Sequence, residues 1–338
     1  MRKRIFDRFT WTGAMALSAA LGLAACGGGS NGETPSAAAA AKPGPVAVDQ
    51  LVTTSVAGYP HPVDIYSTAG ATRAIVLLHG GAGNKSAIAY QVGLNRSAGA
   101  TTFGTINWSW LDTHKVMLVV PQGQHIASEP NATTWSNYAM TSGQDDKAFL
   151  QALAAKIRSE HGIAHITLMG HSMGGVMANR MWCESAGSFD AYVSLAGPAS
   201  SEFSKAATPC APGSAARPYM GIIGDTDDIM RTAGAWEAPT WTLNPAVVQA
   251  SVNAWTNNVV IGEFRQQQAR TAIVCNGALA SQAYAHSGNV DTWTSCGGRL
   301  VLKRVSGAEH AVASIEAQMG SASDMDVMNT VMAFLSGL

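Results

Sequence analysis

Gly170-His171-Ser172-Met173-Gly174 sets a serine midway between two glycines, each two residues away. A G-x-S-x-G run does chemistry where a strand turns abruptly into a helix. That bend holds the hydroxyl clear of the backbone, and a Cβ at either glycine would clash there. The flanks supply both elements: Ile166-Thr167-Leu168-Met169 reads as a short buried strand, and Met173 to Ser185 as a helix. The bland alternative is a glycine-rich turn that merely contains a serine. A serine hydroxyl is a poor nucleophile at its free pKa, so it needs a base, and the base needs an orienting carboxylate. After Ser172 the chain has two histidines, His286 and His310. His310, in Gly307-Ala308-Glu309-His310, follows a strand-like run and is the expected base. His286 sits in a Ser/Gly-rich stretch and reads as a surface-loop residue. The acid is expected after the Tyr219–Ile223 run, in Gly224-Asp225-Thr226-Asp227-Asp228, with Asp227 the first choice and Asp228 the second. Ser172, His310 and Asp227 together would carry out acyl transfer.

The oxyanion formed at an attacked carbonyl needs backbone donors aimed at it. The N–H of Met173 comes with the turn, at the amino end of its helix. A second donor is expected in His79-Gly80-Gly81-Ala82, from Gly81 or Ala82, while His79 braces that turn.

These residues must be held by a sheet. Ala74 to Leu78 and Val116 to Val120 are continuous apolar runs of the kind that form central parallel strands covered on both faces. Ala191 to Leu195, Tyr219 to Ile223 and Leu300 to Val305 add three more, and Gln50 to Tyr66 suggests a strand pair at an edge. Asp146 to His161 is helical, with Phe149, Leu150, Leu153, Ala154 and Ile157 on one face. A last helix is expected from Ser323 to Leu335, capped by Ser323 or Asp324. Alternating strands and helices indicate βαβ units, an α/β fold with a mainly parallel sheet. In such sheets the ligand lies beyond the carboxyl ends of the strands, where all three candidate residues fall.

Composition bounds the setting. The 338 residues are 47% hydrophobic and 13% charged, so a large core can be buried. With a formal net charge of −1 and no basic cluster past the N-terminus, nothing favours nucleic acid as a partner. Arg2, Lys3 and Arg4 precede an apolar stretch, Trp11 to Ala25, too short to span a bilayer. It ends in Leu23-Ala24-Ala25-Cys26, which reads as a lipobox with Cys26 as the lipidated residue; an ordinary cleaved signal is the rival. The expected organisation is a signal over residues 1–26, a Gly/Ser/Ala/Pro-rich tether over 27–45, and one catalytic domain over 46–338. The chain is expected to be exported, with membrane contact only through the lipid anchor. Cys183, Cys210, Cys275 and Cys296 then meet an oxidising compartment. Pairs Cys183–Cys210 and Cys275–Cys296 each close a short loop and are the expected disulfides. No metal site or dinucleotide fingerprint is present, so no cofactor is implied.

Between Asp227 and His310 lie 82 residues, more than one helix and one strand require. This insertion carries Trp236, Trp241, Trp255 and Trp293; Trp108 and Trp110 lie in a separate one. The rings are either an extra packed layer or a wall of the substrate cleft, with Trp255, Trp236 and Trp108 as candidates for substrate contact.

The order His79-Gly80-Gly81, Thr134-Trp135-Ser136-Asn137, Asp145-Asp146, Gly170 to Gly175, Cys183, Cys210, Gly224 to Asp227, Cys275, Cys296 and His310 resembles the polyhydroxybutyrate depolymerase and feruloyl esterase-like α/β-hydrolases. The likeness runs from about Ala74 to His310. It implies the α/β-hydrolase fold, with the Trp-bearing insertions near the active site. One departure stands out: that group usually has Asn or Gln after the nucleophile and a Trp-Pro-Gly-like tail after the histidine, where this chain has Met173 and Ala311-Val312. Within the group, the lipobox and Trp-bearing insertions are most similar to β-diketone hydrolases of polymer-degrading bacteria. That implies a small-molecule or synthetic-polymer substrate with two carbonyls flanking one methylene, cleaved at a carbon–carbon bond. A carboxylesterase or polyester depolymerase would use the same triad. A polymer-binding lipoprotein without catalysis, and an acyltransferase, are further rivals.

Overall fold

The computed structural model of the chain describes residues 48–126, 129–137, 140–197, 217–227, 229, 274–275, 283–320 and 325–338. Cys26, Cys210, Asp228, Trp236, Trp241, Trp255, Ser323 and Asp324 lie outside these residues, as do the expected signal and tether.

The described strands are β1 (Gln50–Ser55), β2 (Pro62–Ser67), β3 (Arg73–Leu78), β4 (Val116–Pro121), β5 (Gln124–Ile126), β6 (Glu129–Thr134), β7 (His165–His171), β8 (Ala191–Leu195), β9 (Tyr219–Gly224), β10 (Ala283–Ser287), β11 (Val290–Ser295) and β12 (Leu300–Val305). The described α-helices are α1 (Lys85–Gln91), α2 (Trp108–His114), α3 (Asp146–His161), α4 (Met173–Glu184), α5 (Val312–Met319) and α6 (Asp326–Ser336). Ten strands form one sheet in the order β1-β2-β4-β3-β7-β8-β9-β12-β11-β10; β5 and β6 form a separate hairpin. From β4 through β12 every neighbouring pair is parallel, and antiparallel strands flank that block on both sides. This is the α/β-hydrolase arrangement that the motif order implies.

The parallel strands are buried on both faces because each face has its own helical layer. Ile75, Leu77, Leu118, Val120 and Met169 point into one core with Ile88, Leu111, Ile315 and Val331. Their alternate neighbours Val76, Leu78, Met117, Val119 and Leu168 point into a second core with Phe149, Leu153, Met177 and Trp182. The period-two alternation of an extended chain thus sends successive apolar side chains to opposite cores.

Two expectations change. The stretch around His286 is not a loop: Ala283–Ser287 is an outward-facing edge strand paired with β11. Side chains that face water on an edge strand need not be apolar, so its polar composition masked the pairing. The last helix begins at Asp326, with Met325 rather than Ser323 or Asp324 at its N-cap position. Met325 makes no side-chain capping bond; the buried Glu316 carboxylate of α5 accepts the Val327 N–H at 3.1 Å.

Candidate active site

The G-x-S-x-G run lies at the junction between β7 and α4, with Ser172 at φ 54° and ψ −121°. This region is sparsely populated for a residue with a Cβ, and it costs on the order of 1–3 kcal/mol. The bend fits only because its glycines lack side chains. A Cβ on Gly170 would stand 2.2 Å from the carbonyl carbon of Gly174, and one on Gly174 would stand 2.6 Å from the Leu78 oxygen.

The structure brings the three predicted residues together from three strand ends. His310, beyond β12, holds Nε2 2.8 Å from the Ser172 hydroxyl. Its Nδ1 lies 2.7 Å from Asp227 Oδ2, beyond β9. Asp227 is 0% exposed and the other two are 8% exposed each, so the chain of hydrogen bonds is shielded yet opens to a reactant at Ser172. With Asp227 accepting from Nδ1–H, the Nε2 lone pair faces the Ser172 hydroxyl, the arrangement that lets the imidazole take its proton.

The turn carrying His310 is fastened at several points. Thr226 donates to the Ala308 carbonyl through both its N–H, at 3.0 Å, and its hydroxyl, at 2.7 Å. The Gly307 N–H donates to Asp225 at 2.7 Å. Asp225 also pairs with Arg304. Of the acids in the Gly224–Asp228 turn, Asp225 therefore ties two turns together while Asp227 meets the imidazole.

The segment after β3 runs against the nucleophile: a Cβ on Gly80 would lie 3.0 Å from Ser172 Cβ, and one on Gly81 3.3 Å from Met173 Cγ. Here one expectation is corrected. The Ala82 N–H is spent within the fold, donating to the Thr133 carbonyl of β6 at 2.8 Å. It is therefore not free to receive an oxyanion, and of the two candidates Gly81 remains beside Met173.

His79 braces this segment. The Gly123 N–H donates to His79 Nε2 at 2.9 Å, so that nitrogen is unprotonated, and Nδ1–H donates to the Gly80 carbonyl at 2.7 Å. Burial pushes the imidazole down to about 4, and it stays neutral. The Trp135 indole N–H donates to the His79 carbonyl at 2.9 Å. Asn137 donates to the Met173 carbonyl at 3.0 Å, joining the loop after β6 to the start of α4. The roles of Trp135 and Asn137 have no local signal beyond their place in the motif order, because both partners are distant backbone carbonyls.

The remaining candidates divide. Cys275 and Cys296 are bonded, with Cα atoms 5.2 Å apart. Cys183 is disulfide-bonded; its expected partner Cys210 lies outside the described residues. Trp108 opens α2 and donates its indole N–H to Phe103 O at 2.8 Å, with its ring 4.8 Å from that of Phe103. It packs on the core beneath α1 and α2, and none of its described contacts is with the triad. Trp293 is fully buried on β11, which is a packing role. His286 is exposed and pairs with Asp291 at 2.8 Å. Among the described residues no cluster of His, Cys, Asp or Glu is disposed to hold a metal ion, and no helix is long and apolar enough to cross a membrane.

The alpha/beta hydrolase family matches the chain over residues 75–325. No curated protein matches it. Among solved structures, an acetyl xylan esterase from Aspergillus awamori is similar at 14% identity and a TM-score of 0.51, covering 85% of this chain and 99% of its own. A CIB-like hydrolase from Thermoplasma acidophilum is similar at 14% identity and a TM-score of 0.46, covering 86% of this chain and 99% of its own.

Proposed function

The chain belongs to the alpha/beta hydrolase family, and from that premise we propose that it is a serine hydrolase that cleaves β-diketone groups, those of oxidised polyvinyl alcohol in particular. The observation that carries the hydrolase reading is the continuous hydrogen-bonded line Ser172–His310–Asp227, at 2.8 and 2.7 Å. The diketone reading is supported by the likeness of the motif order, lipobox and Trp-bearing insertions to bacterial oxidised polyvinyl alcohol hydrolase. Met173 adds to it: an apolar side chain stands against Gly81 where the depolymerase group carries an amide.

The steps follow from the positions of the groups. Ser172 Oγ adds to one carbonyl carbon as its proton passes to His310 Nε2. The Met173 and Gly81 N–H groups receive the oxyanion. Collapse of the adduct breaks the bond between that carbon and the central methylene. The electron pair leaves on the methylene carbon and spreads into the second carbonyl as an enolate, which makes a carbon leaving group feasible. His310 then protonates the enolate carbon, and a methyl ketone departs. Water gives a proton to His310 as it attacks the acyl-serine, and collapse of this second adduct returns that proton to Ser172 Oγ and releases a carboxylic acid. Asp227 orients the imidazole throughout and stabilises its transient positive charge.

Export and lipidation at Cys26 would set this chemistry outside the cytoplasm, where a polymer too large to import is met. The second reading is a carboxylesterase or polyester depolymerase, favoured by the fact that the same donors and triad accept an ester carbonyl. Supplying one preparation with a soluble aliphatic β-diketone and, separately, a short-chain aryl ester separates the two. Diketone turnover that disappears with Ser172→Ala supports the proposal. Ready ester cleavage with no diketone loss hands the chain to the second reading.

A further inference from the structure

His171 is the variable residue that precedes the nucleophile in the G-x-S-x-G run, and the residues around it leave it one clear task. It closes β7 immediately before the nucleophile and is buried. Its Nε2 lies 3.0 Å from the backbone carbonyl oxygen of His310. A carbonyl oxygen only accepts, so the proton of the His171 ring is on Nε2 and that nitrogen donates. The two imidazole rings lie 5.1 Å apart, inclined at 42°. Two consecutive residues therefore grip the same histidine: Ser172 meets its ring at Nε2, and His171 meets its main chain.

We propose that His171 is a positioning residue for the base, fixing through the His310 carbonyl the distance between the imidazole and Ser172. The other described fastenings of that turn reach Gly307, Ala308 and Glu309, which precede His310. Among these described fastenings only His171 meets the main chain of His310, whose ring Asp227 holds, and it does so from the strand that presents the nucleophile. A shift of the His310 main chain relative to Ser172 must then break this bond or bend the turn between β7 and α4.

The residue type matters as well as the reach. His310 gains a positive charge during each half-reaction, 5.1 Å from the His171 ring. A lysine or arginine donor at this point would repel that charge, whereas a neutral imidazole donates without opposing it. Burial, and then the nearness of His310, push His171 down to about 4, which keeps it neutral at neutral pH.

The inference rests on the serine-hydrolase reading, and its test separates the two. Ser172 is labelled with a fluorophosphonate, whose reaction requires the activated serine but no particular substrate. The second-order labelling rate is measured for the wild type, His171→Leu and His171→Gln, with the folded fraction of each taken from thermal unfolding. Misplacing a base by about 1 Å costs on the order of 100-fold. His171→Leu should therefore label about 10- to 100-fold more slowly per folded molecule. His171→Gln, which keeps an N–H at similar reach, should recover most of that loss. Equal rates in the wild type and His171→Leu, or a glutamine variant no better than leucine, would overturn the inference. Failure of the wild type itself to label would instead overturn the hydrolase reading. Should His171→Leu not fold, nitrogen-15 spectra of the wild-type imidazoles decide: a neutral His171 protonated at Nε2 is expected, and protonation at Nδ1 would overturn the inference.

Discussion

Asp227 reaches Nδ1 of His310 at 2.7 Å across 83 positions of chain, and it does so from full burial. A carboxylate buried against Nδ1 of an imidazole fixes that ring's tautomer, and an amide in its place would present a donor to Nδ1 and invert it. Asp227→Asn is therefore expected to lower kcat by about 10,000-fold with little change in thermal unfolding. Asp228→Asn should stay near wild type. A mild Asp227 variant beside a severe Asp228 variant would move the orienting role to the neighbouring acid.

Ser172→Ala should abolish turnover of esters and diketones alike, by about 10,000-fold or more, because the base and the donors have nothing to activate. Circular dichroism should remain that of the wild type. Near-normal turnover in this variant would remove Ser172 from the chemistry altogether.

The positions of these residues were readable because each follows a strand end in the chain order that nucleophile, acid and base need. The apolar runs gave β3, β4, β7, β8, β9 and β12 to within two residues. What stayed hidden depends on pairing at a distance. Gly81 and Ala82 are equivalent donors until the β5–β6 hairpin takes one of them, and that hairpin has a polar sequence without alternation. The link from His171 to His310 spans 139 positions and ends on a backbone carbonyl, which no side-chain type betrays. Edge strand β10 faces water along its whole length, so no apolar pattern announces it.

Packing under the oxyanion segment gives a stability prediction. A methyl group on Gly174 would sit 2.6 Å from the Leu78 oxygen and 2.7 Å from the His79 oxygen, both backbone atoms. Relief requires β3 and the Gly80-Gly81 segment to move away from α4. Gly174→Ala should destabilise the fold by about 3 kcal/mol and depress kcat more than KM. A variant as stable and active as the wild type would contradict the close approach of these two elements.

Acid sensitivity follows from the two buried imidazoles. His79 and His171 are each pushed down to about 4, chiefly by burial, against about 6.5 in the unfolded chain. Between those values the unfolded chain binds more protons, so stability rises with pH across that window. The contribution is complete above about pH 6.5 and is lost progressively as the pH falls toward about 4, by roughly 3 kcal/mol for each ring. Urea unfolding at pH 8, 6 and 5 should show the midpoint falling through this range. His79→Gln should reduce the slope by about half, and a flat profile in the wild type would contradict the neutral state of both rings.

Product analysis in oxygen-18 water decides whether a carbon–carbon bond is cleaved. A protein lacking residues 1–26 would be incubated with a soluble aliphatic β-diketone, with Ser172→Ala as the control. Carboxylic acid and methyl ketone are expected in equal amounts, with one solvent oxygen entering the carboxylic acid at turnover and neither product with the variant. An intact diketone, or products formed equally by the variant, would contradict this expectation.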